Sequence, residues 1–527
     1  MRCAMQHSIR HMAAPTLAVV TALVFVTVST GAGASVVRQH YDFPEPVMAP
    51  TGAYHEITMN GAWTFAAPGE PMLPMYGVRI LLPPGEVITQ VEVIPEAWAT
   101  LDGTYSLAPG QPQTPLSRSE SVRPAMPDER IYRSSSPFPG KLREEPHTGL
   151  FRGYRVTSFA IHPVEYVPAT GVVSYMTGCE IVVTCESSHE ALEESARMIR
   201  HDEGTLSRLS RVVDNPAAAG DYASIARLTG GSRTLDPDDA YKYIIVSGDP
   251  WVGELDPLVA FETERGHKAG VFSRSWILAN YSGGVDDQDD IRNFIIDAYQ
   301  TWDIDYVLLV GDARDDNGIP HRGLYSSTQY GSTDSNIPAD MYYGCLDGTW
   351  NDDGDNRWGE PNEADLYFEV GVGRACASNT AAVQNFITKT IRYQTAPINE
   401  ECDEALMAGE LLWYDPTWGG DYKDEIKDGS SMHGYTTVGF PPTMNVDTLY
   451  DRDYTWSYSE LINIMENGMN IVNHLGHCNV TYAMKMTTSD IPSFDNDGTV
   501  HSYNFVYSQG CYCGSFDNRD DSGSYTS

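Results

Sequence analysis

Tyr306-Val307-Leu308-Leu309-Val310-Gly311-Asp312 decides the fold. Four apolar side chains follow a tyrosine without alternation, and the run stops at a glycine. A strand with one wet face alternates apolar and polar residues. An unbroken run belongs to a strand covered on both faces, as in a parallel sheet between helices. The flanking text agrees. Asp286, Asp287, Asp289 and Asp290 load the start of a helix running to Trp302, where the helix dipole favours negative charge. Further upstream, residues 243–246 read as an apolar strand, 255–265 as a helix stopped by Gly266, and 268–272 as a strand. Strand–helix alternation recurs over 370–393, and a helix followed by a strand over 458–473. From residue 240 onward the expectation is an α/β sandwich with a mostly parallel sheet.

Upstream of residue 187 the rhythm is different. Residues 78–82 form a short strand closed by Pro83-Pro84-Gly85, and 87–94 alternate as a half-buried strand. Residues 154–161, 172–175 and 180–183 read as three more. With Pro and Gly punctuating throughout, 35–186 is an antiparallel all-β domain. Residues 187–239 form a linker carrying Arg197, Arg200, Arg208, Arg211, Arg227 and Arg233, and we read it as a protease-exposed hinge. Residues 1–34 read as a signal peptide. Arg2 and Arg10 are its positive start, 13–28 its apolar stretch, and Ala32-Gly33-Ala34 its cleavage site. The apolar stretch is shorter than the roughly 20 residues of a spanning helix. The expectation is therefore an exported protein with no membrane span after cleavage.

The chain has 527 residues and a formal net charge of −38. So acidic a chain offers phosphate no broad cationic face, which argues against nucleic acid as a partner. Its 31 Tyr, 10 Trp and 15 Phe rule out wholesale disorder. Removal of the leader takes Cys3 and leaves eight cysteines, too few for a disulfide scaffold. Cys179–Cys185 and Cys345–Cys376 are conceivable pairs.

Chemistry concentrates at two strand ends. One reads Met469-Asn470-Ile471-Val472-Asn473, then His474-Leu475-Gly476-His477-Cys478. The other reads Asn504 to Ser508, then Gln509-Gly510-Cys511-Tyr512-Cys513. A His and a Cys at neighbouring strand ends are what thiolate catalysis needs: imidazole draws the thiol proton and returns it to the leaving amine. Zinc held by four of His474, His477, Cys478, Cys511 and Cys513 is the competing reading. Spacing leaves both open.

The ordered set of 306–312 with Ile319-Pro320, Val370-Gly371-Val372-Gly373-Arg374, Asn473 to His477, and the Cys-x-x-Gly-x-Phe pattern of Cys511 to Phe516 resembles the gingipain family of secreted caspase-fold cysteine peptidases. The β domain, with 69–74 and 163–166, resembles that family's propeptide. The resemblance implies a caspase-like α/β domain over 240–527, Cys511 as nucleophile and His477 as its partner. It further implies that Glu410 orients His477 and that Asp421 is the acid at the base of an S1 pocket for Arg or Lys. Asp421 is otherwise a helix N-cap before residues 422–426, the reading we prefer. Cys478 stands where the family usually has Gly. It would offer its backbone N–H to an oxyanion, or form a disulfide with Cys511 or Cys513 that silences the site. Only 16 residues follow Cys511, whereas the family's catalytic domain continues further.

Asp347, Asn351, Asp353, Asp355 and Glu360 alternate oxygen ligands around Gly354 in the manner of a calcium loop. The family's use of calcium points the same way, with a structural role and no organic cofactor. Together these features describe a secreted zymogen: a cysteine endopeptidase acting on protein or peptide substrates and bound by its own propeptide. The alternative is a catalytically silent secreted binding module with a zinc- or disulfide-stabilised Cys/His cluster.

Overall fold

The computed structural model describes residues 34–112, 124–228, 234–314, 317–327, 333–413, 417–430 and 436–517. All but the last residue of the expected leader, and Arg233, lie outside them. Among the described residues no helix is long and apolar enough to cross a membrane.

The N-terminal domain packs two antiparallel sheets face to face. In one, Val172–Ser187 lies between Ser35–Asp42 and Glu86–Thr100 and also pairs with Val164–Val167. In the other, the order is Trp63–Phe65, Leu73–Leu81, Tyr154–Ile161, His147–Phe151. Val78, Ile80, Phe159 and Ile161 from one sheet meet Val91, Ile181 and Val183 from the other. Two strands expected over 172–175 and 180–183 are one, because the pairing passes Gly178 through a register shift rather than a turn. Cys179 and Cys185 sit on that strand as free buried thiols. Six residues of strand span about 20 Å, far beyond disulfide reach. Cys345 and Cys376 are also free.

Over its described residues the linker is packed rather than an exposed hinge. His189–Met198 and Glu203–Val212 are helices capped by Ser188 and Asp202, and Ala196 and Leu209 share a core with Leu81, Phe151 and Val156. Asn215 behaves like a strand neighbour. Its side chain accepts from Leu81 N at 2.7 Å and donates to Leu81 O at 2.9 Å. Arg200 is buried, with Nη1 on Ile304 O at 3.1 Å and Nη2 on Asp305 at 3.0 Å. Arg227 is held by Asp303 and by Tyr299 O. These arginines fasten the N-terminal domain to the α/β half.

The α/β half holds two four-stranded parallel sheets where the sequence implied one. The first runs Ala269–Ser273, Tyr243–Ser247, Tyr306–Val310, Gly371–Ala375. The unbroken apolar run explains its layers. Val307 and Leu309 pack with Ile291, Phe294 and Ile295 of the helix Asp287–Trp302. Leu308 and Val310 face the other way, onto Leu255, Leu258, Val383 and Ile387. The second sheet runs Asn445–Tyr450, Glu404–Gly409, Ile471–Leu475, Phe505–Gln509. Tyr458–Glu466, started by a Ser457/Glu460 capping box, covers one face through Leu461.

Candidate active site

Parallel strands in register deliver their ends to one edge. Gly409, Leu475 and Gln509 lie at the same height, so the next residues, Glu410, Gly476 and Gly510, meet there. Glu410 N donates to Leu475 O at 3.0 Å, and Gly476 N donates to Gln509 O at 3.1 Å. The glycines are required by contact. A Cβ on Gly476 would lie 2.5 Å from both Glu410 Oε1 and His474 Nε2. One on Gly510 would collide with Cys478 Sγ and lie 2.7 Å from Gly476 O.

Glu410 is buried, and its carboxylate divides between two histidines. Oε1 lies 2.9 Å from Nε2 of the wholly buried His474. Oε2 accepts from the backbone N–H of His477 at 3.3 Å. The expectation that Glu410 orients the His477 ring is therefore corrected: it fixes His477 through the main chain, and the ring it holds is that of His474. The short Gly476 turn brings the amide, not the imidazole, over the acid. His477 Nε2 faces Leu411 O at 3.0 Å. A carbonyl only accepts, so this nitrogen carries the proton and Nδ1 is left as the basic atom.

Cys511 is half-buried on the neighbouring turn. Among the described residues its thiol has no hydrogen bond to His477, so the structure brings the two residues to one edge without joining them. Tyr512, with φ 61°, turns the chain back. Cys513 then lies against Ser508 Oγ at 3.4 Å and within hydrogen-bonding reach of the Cys478 thiol. Cys478 Sγ is 4.0 Å from the same hydroxyl. Hydrogen bonds from Cys478 and Ser508 lower the Cys513 thiol to about 6, and its contact with Cys513, with burial, raises Cys478. The zinc reading loses His474, both of whose nitrogens are engaged, Nε2 by Glu410 and Nδ1 by Ser508 Oγ at 2.8 Å. Among the described residues no grouping of side chains close enough to hold a metal includes a cysteine.

Asp421 is neither an N-cap nor an empty pocket base. The helix Gly419–Asp428 begins after Trp418, which places Asp421 in its first turn. Its carboxylate is exposed and paired with Arg452, which also binds Asp424 at 2.8 Å. The same helix carries Lys423 beneath the site. Lys423 is fully buried, with Nζ 2.7 Å from both Asn473 Oδ1 and Gln509 Oε1. Lacking a carboxylate partner, it is lowered by burial to about 8.

The calcium loop divides in two. Asp353, Asp355 and Glu360 converge at the surface, while Asn351 Oδ1 accepts from Asp355 N at 3.1 Å. Asp347 leaves them and joins Asp365 and Glu369. In this second group Asp347 Oδ1 and Asp365 Oδ2 are buried without a donor. Burial raises all three acids, and mutual repulsion adds to this for Asp365 and Glu369. Glu369 accepts from Leu346 N at 2.8 Å and, across the domain boundary, from Arg152 N at 3.1 Å. Hard oxygen ligands with unmet charge suit a calcium ion.

The family model described as Peptidase family C25 matches residues 236–526, and that for Propeptide_C25 matches 26–205. The chain belongs to peptidase family C25. It is 22% identical to gingipain R2 of Porphyromonas gingivalis over 406 residues, 72% of this chain and 47% of that protein. It is also 22% identical to gingipain R1 of Porphyromonas gingivalis over 411 residues, 73% of this chain and 35% of that protein. The chain thus spans less than half the length of these relatives. Among solved structures, the complex of Porphyromonas gingivalis RgpB pro- and mature domains aligns with a TM-score of 0.39 at 18% identity, over 52% of this chain and 56% of that one. The Arg-specific cysteine proteinase gingipain R aligns with a TM-score of 0.39 at 19% identity, over 54% and 58%.

Several motifs of this C25 chain turn out to be scaffolding. Arg374 binds Asp340 through Nε and Nη2 at 2.7 Å, Ile319 O at 2.6 Å and Gly311 O at 3.1 Å. One buried side chain therefore ties three of the motifs together. Phe516 packs on His321 and under the Arg374 guanidinium, and so anchors the Cys511 turn to the first sheet. Sequence reasoning missed Asp365 and Glu369. Their signal was inverted alternation: the acids point inward, while Leu366 and Phe368 between them are 65% and 48% exposed.

Proposed function

We propose that this chain is the latent form of an exported cysteine endopeptidase. Cys511 is the nucleophile, His477 the general base and acid, and the N-terminal domain the propeptide. The observation that carries the reading is the in-register meeting of the His477 and Cys511 turns at one parallel-sheet edge, cross-bonded by Gly476 N and Gln509 O. His477 Nδ1 takes the thiol proton, and Cys511 Sγ adds to the scissile carbonyl. The imidazolium returns the proton to the leaving amine. Water, deprotonated by the same nitrogen, then hydrolyses the thioester. The Cys478 N–H, which has no acceptor among the described residues, faces the oxyanion. Closure of the Cys511–His477 gap accompanies substrate binding, as loosely set apo geometry allows.

Cleavage after Arg or Lys belongs to the proposal through Asp421, the acid that the sequence resemblance to gingipains places at the base of an S1 pocket. It requires the Asp421 carboxylate, whose Oδ1 holds Arg452, to receive the substrate's cation as well or to be released by Arg452. Calcium is proposed at Asp347, Asp365 and Glu369, where it would neutralise three carboxylates, two of them on buried residues, and fix the segment entering the strand Gly371–Ala375.

The test treats the full chain, with calcium, with separate Arg- and Lys-directed acyloxymethyl ketones. Adduct at Cys511, lost in His477→Ala, supports the peptidase and gives its preference. An intact Cys511 with both probes, in protein whose propeptide has been removed, sinks it.

A further inference from the structure

The turn after the strand Phe505–Gln509 carries two thiols with different surroundings. Cys511 stands free of hydrogen bonds among the described residues, whereas Cys513 is folded back by Tyr512 onto Cys478. Both thiols face one hydroxyl, Ser508 Oγ, at 3.4 Å from Cys513 and 4.0 Å from Cys478, and each perturbs the titration of the other. Cys478 is only 3% exposed and wedged against Gly510, where no side chain would fit. Cys513 is exposed. One member can therefore meet a reagent from solution while the other waits in contact behind it.

We propose that Cys478 and Cys513 form a disulfide that staples the His477 turn to the Cys511 turn and leaves Cys511 as the one reduced thiol of the three. This reverses the silencing expected of Cys478 from sequence. The consequence for Cys511 rests on the peptidase reading; the bond itself does not. The oxidant is a small-molecule disulfide such as oxidised glutathione. Cys513 thiolate attacks one of its sulfurs, forming a mixed disulfide and releasing one glutathione thiol. Cys478 loses its proton and attacks Sγ of Cys513, closing the protein disulfide and releasing the second glutathione. Two protein thiols are oxidised, one glutathione disulfide is reduced to two thiols, and no other electrons move. The low pKa of Cys513 suits it as the attacking thiol. The staple closes a loop of 34 intervening residues that includes the strand Phe505–Gln509, and so restrains the unfolded chain.

The experiment equilibrates the full chain in glutathione buffers from fully reducing to fully oxidising. Remaining thiols are alkylated with iodoacetamide, and non-reduced peptides are mapped by mass spectrometry. The expected result in oxidised protein is one cross-linked peptide pair joining Cys478 and Cys513, with Cys511 alkylated. Reduced protein should be alkylated at Cys511 and Cys513. Melting temperature should rise on oxidation by several degrees in the wild type, and not in Cys513→Ser or Cys478→Ser. A free Cys478 under full oxidation overturns the proposal, as does a bond from Cys478 to Cys511 or an oxidative rise that survives in Cys513→Ser. Because Cys513 is exposed, its serine variant folds even where Cys478→Ser does not. The two readings fail separately. A mapped staple in a protein whose hydrolysis survives Cys511→Ala removes the peptidase and keeps the staple. Hydrolysis that depends on Cys511 without the cross-link does the opposite.

Discussion

The two parallel sheets have the same strand count and direction but serve different ends. In the first, Ile244, Ile245, Val246, Leu309 and Val310 are wholly buried between two helical layers. Its carboxyl edge is filled by Arg374, which consumes the carbonyls of Gly311 and Ile319. In the second, the edge strand leaves Phe505 57% and Tyr507 49% exposed. Its carboxyl edge offers Glu410, His474, His477 and three cysteines. One sheet spends its strand ends on internal bonds, and the other presents them as chemistry. The difference shows that the usual location of sites in α/β sheets is an opportunity that side chains either close or keep open.

Replacing His477 by Ala should break the second sheet's function and leave its stability alone. Hydrolysis of a peptide substrate is expected to fall by about a thousandfold or more, with an unchanged melting temperature; residual turnover near wild type would erase the contrast. Glu410→Gln sharpens it. The loss of charge between His474 and the His477 amide should lower kcat by about a hundredfold through misplacement of the turn, with little change in KM. A change confined to KM would place Glu410 in substrate binding instead. In the first sheet, Leu309→Ala should reverse the pattern. It should cost about 2–5 kcal/mol in denaturant unfolding, with kcat preserved in the folded fraction.

Lys423 gives a smaller and pH-dependent effect. Its folded value, about 8, lies below the ordinary 10.5. Below pH 8 both folded and unfolded chains hold the proton, and burial of the charge costs its full amount. Between pH 8 and 10.5 the unfolded chain binds more protons, so stability rises with pH. Relative to Lys423→Met, the wild type should gain on the order of 3 kcal/mol over that window. Parallel pH dependence in the two proteins would show that burial does not lower Lys423 and that it keeps its proton in the fold as it does in the unfolded chain. The smallest effect is expected at Asp421→Asn, within about 0.5 kcal/mol of wild-type stability because its partner Arg452 is at the surface. Loss of cleavage after Arg in that variant would show that Asp421 receives the substrate's cation.

Much of this was legible in the chain because apolar patterning is local. The run 306–310 announced a doubly covered strand, and 78–82 with Pro83-Pro84-Gly85 announced a strand of the β domain and its end. The division into two parallel sheets was not legible, since periodicity says that a strand is buried and not which strand lies beside it. The neighbourhood of His477 was visible as Gly-His at a strand end. Assignment of the Glu410 carboxylate to His474 depended on a main-chain turn whose geometry no residue type encodes. Asp421 invited a capping assignment, and the helix began three residues earlier, after Trp418, because Gly419 and Gly420 allow it to pack directly on Gly409. Asp365 and Glu369 were hidden by their apolar neighbours, which point outward against the ordinary preference.

The strand Tyr306–Val310 divides its side chains strictly between two helical layers. Loss or gain of one residue there would exchange the contents of both layers at once, presenting Leu308 to the partners of Leu309 and the reverse. Substitution of one aliphatic residue by another can drift at each position, but the count of residues cannot. Over evolutionary time this segment should therefore record changes of letter and never of length, while insertions collect in the connections.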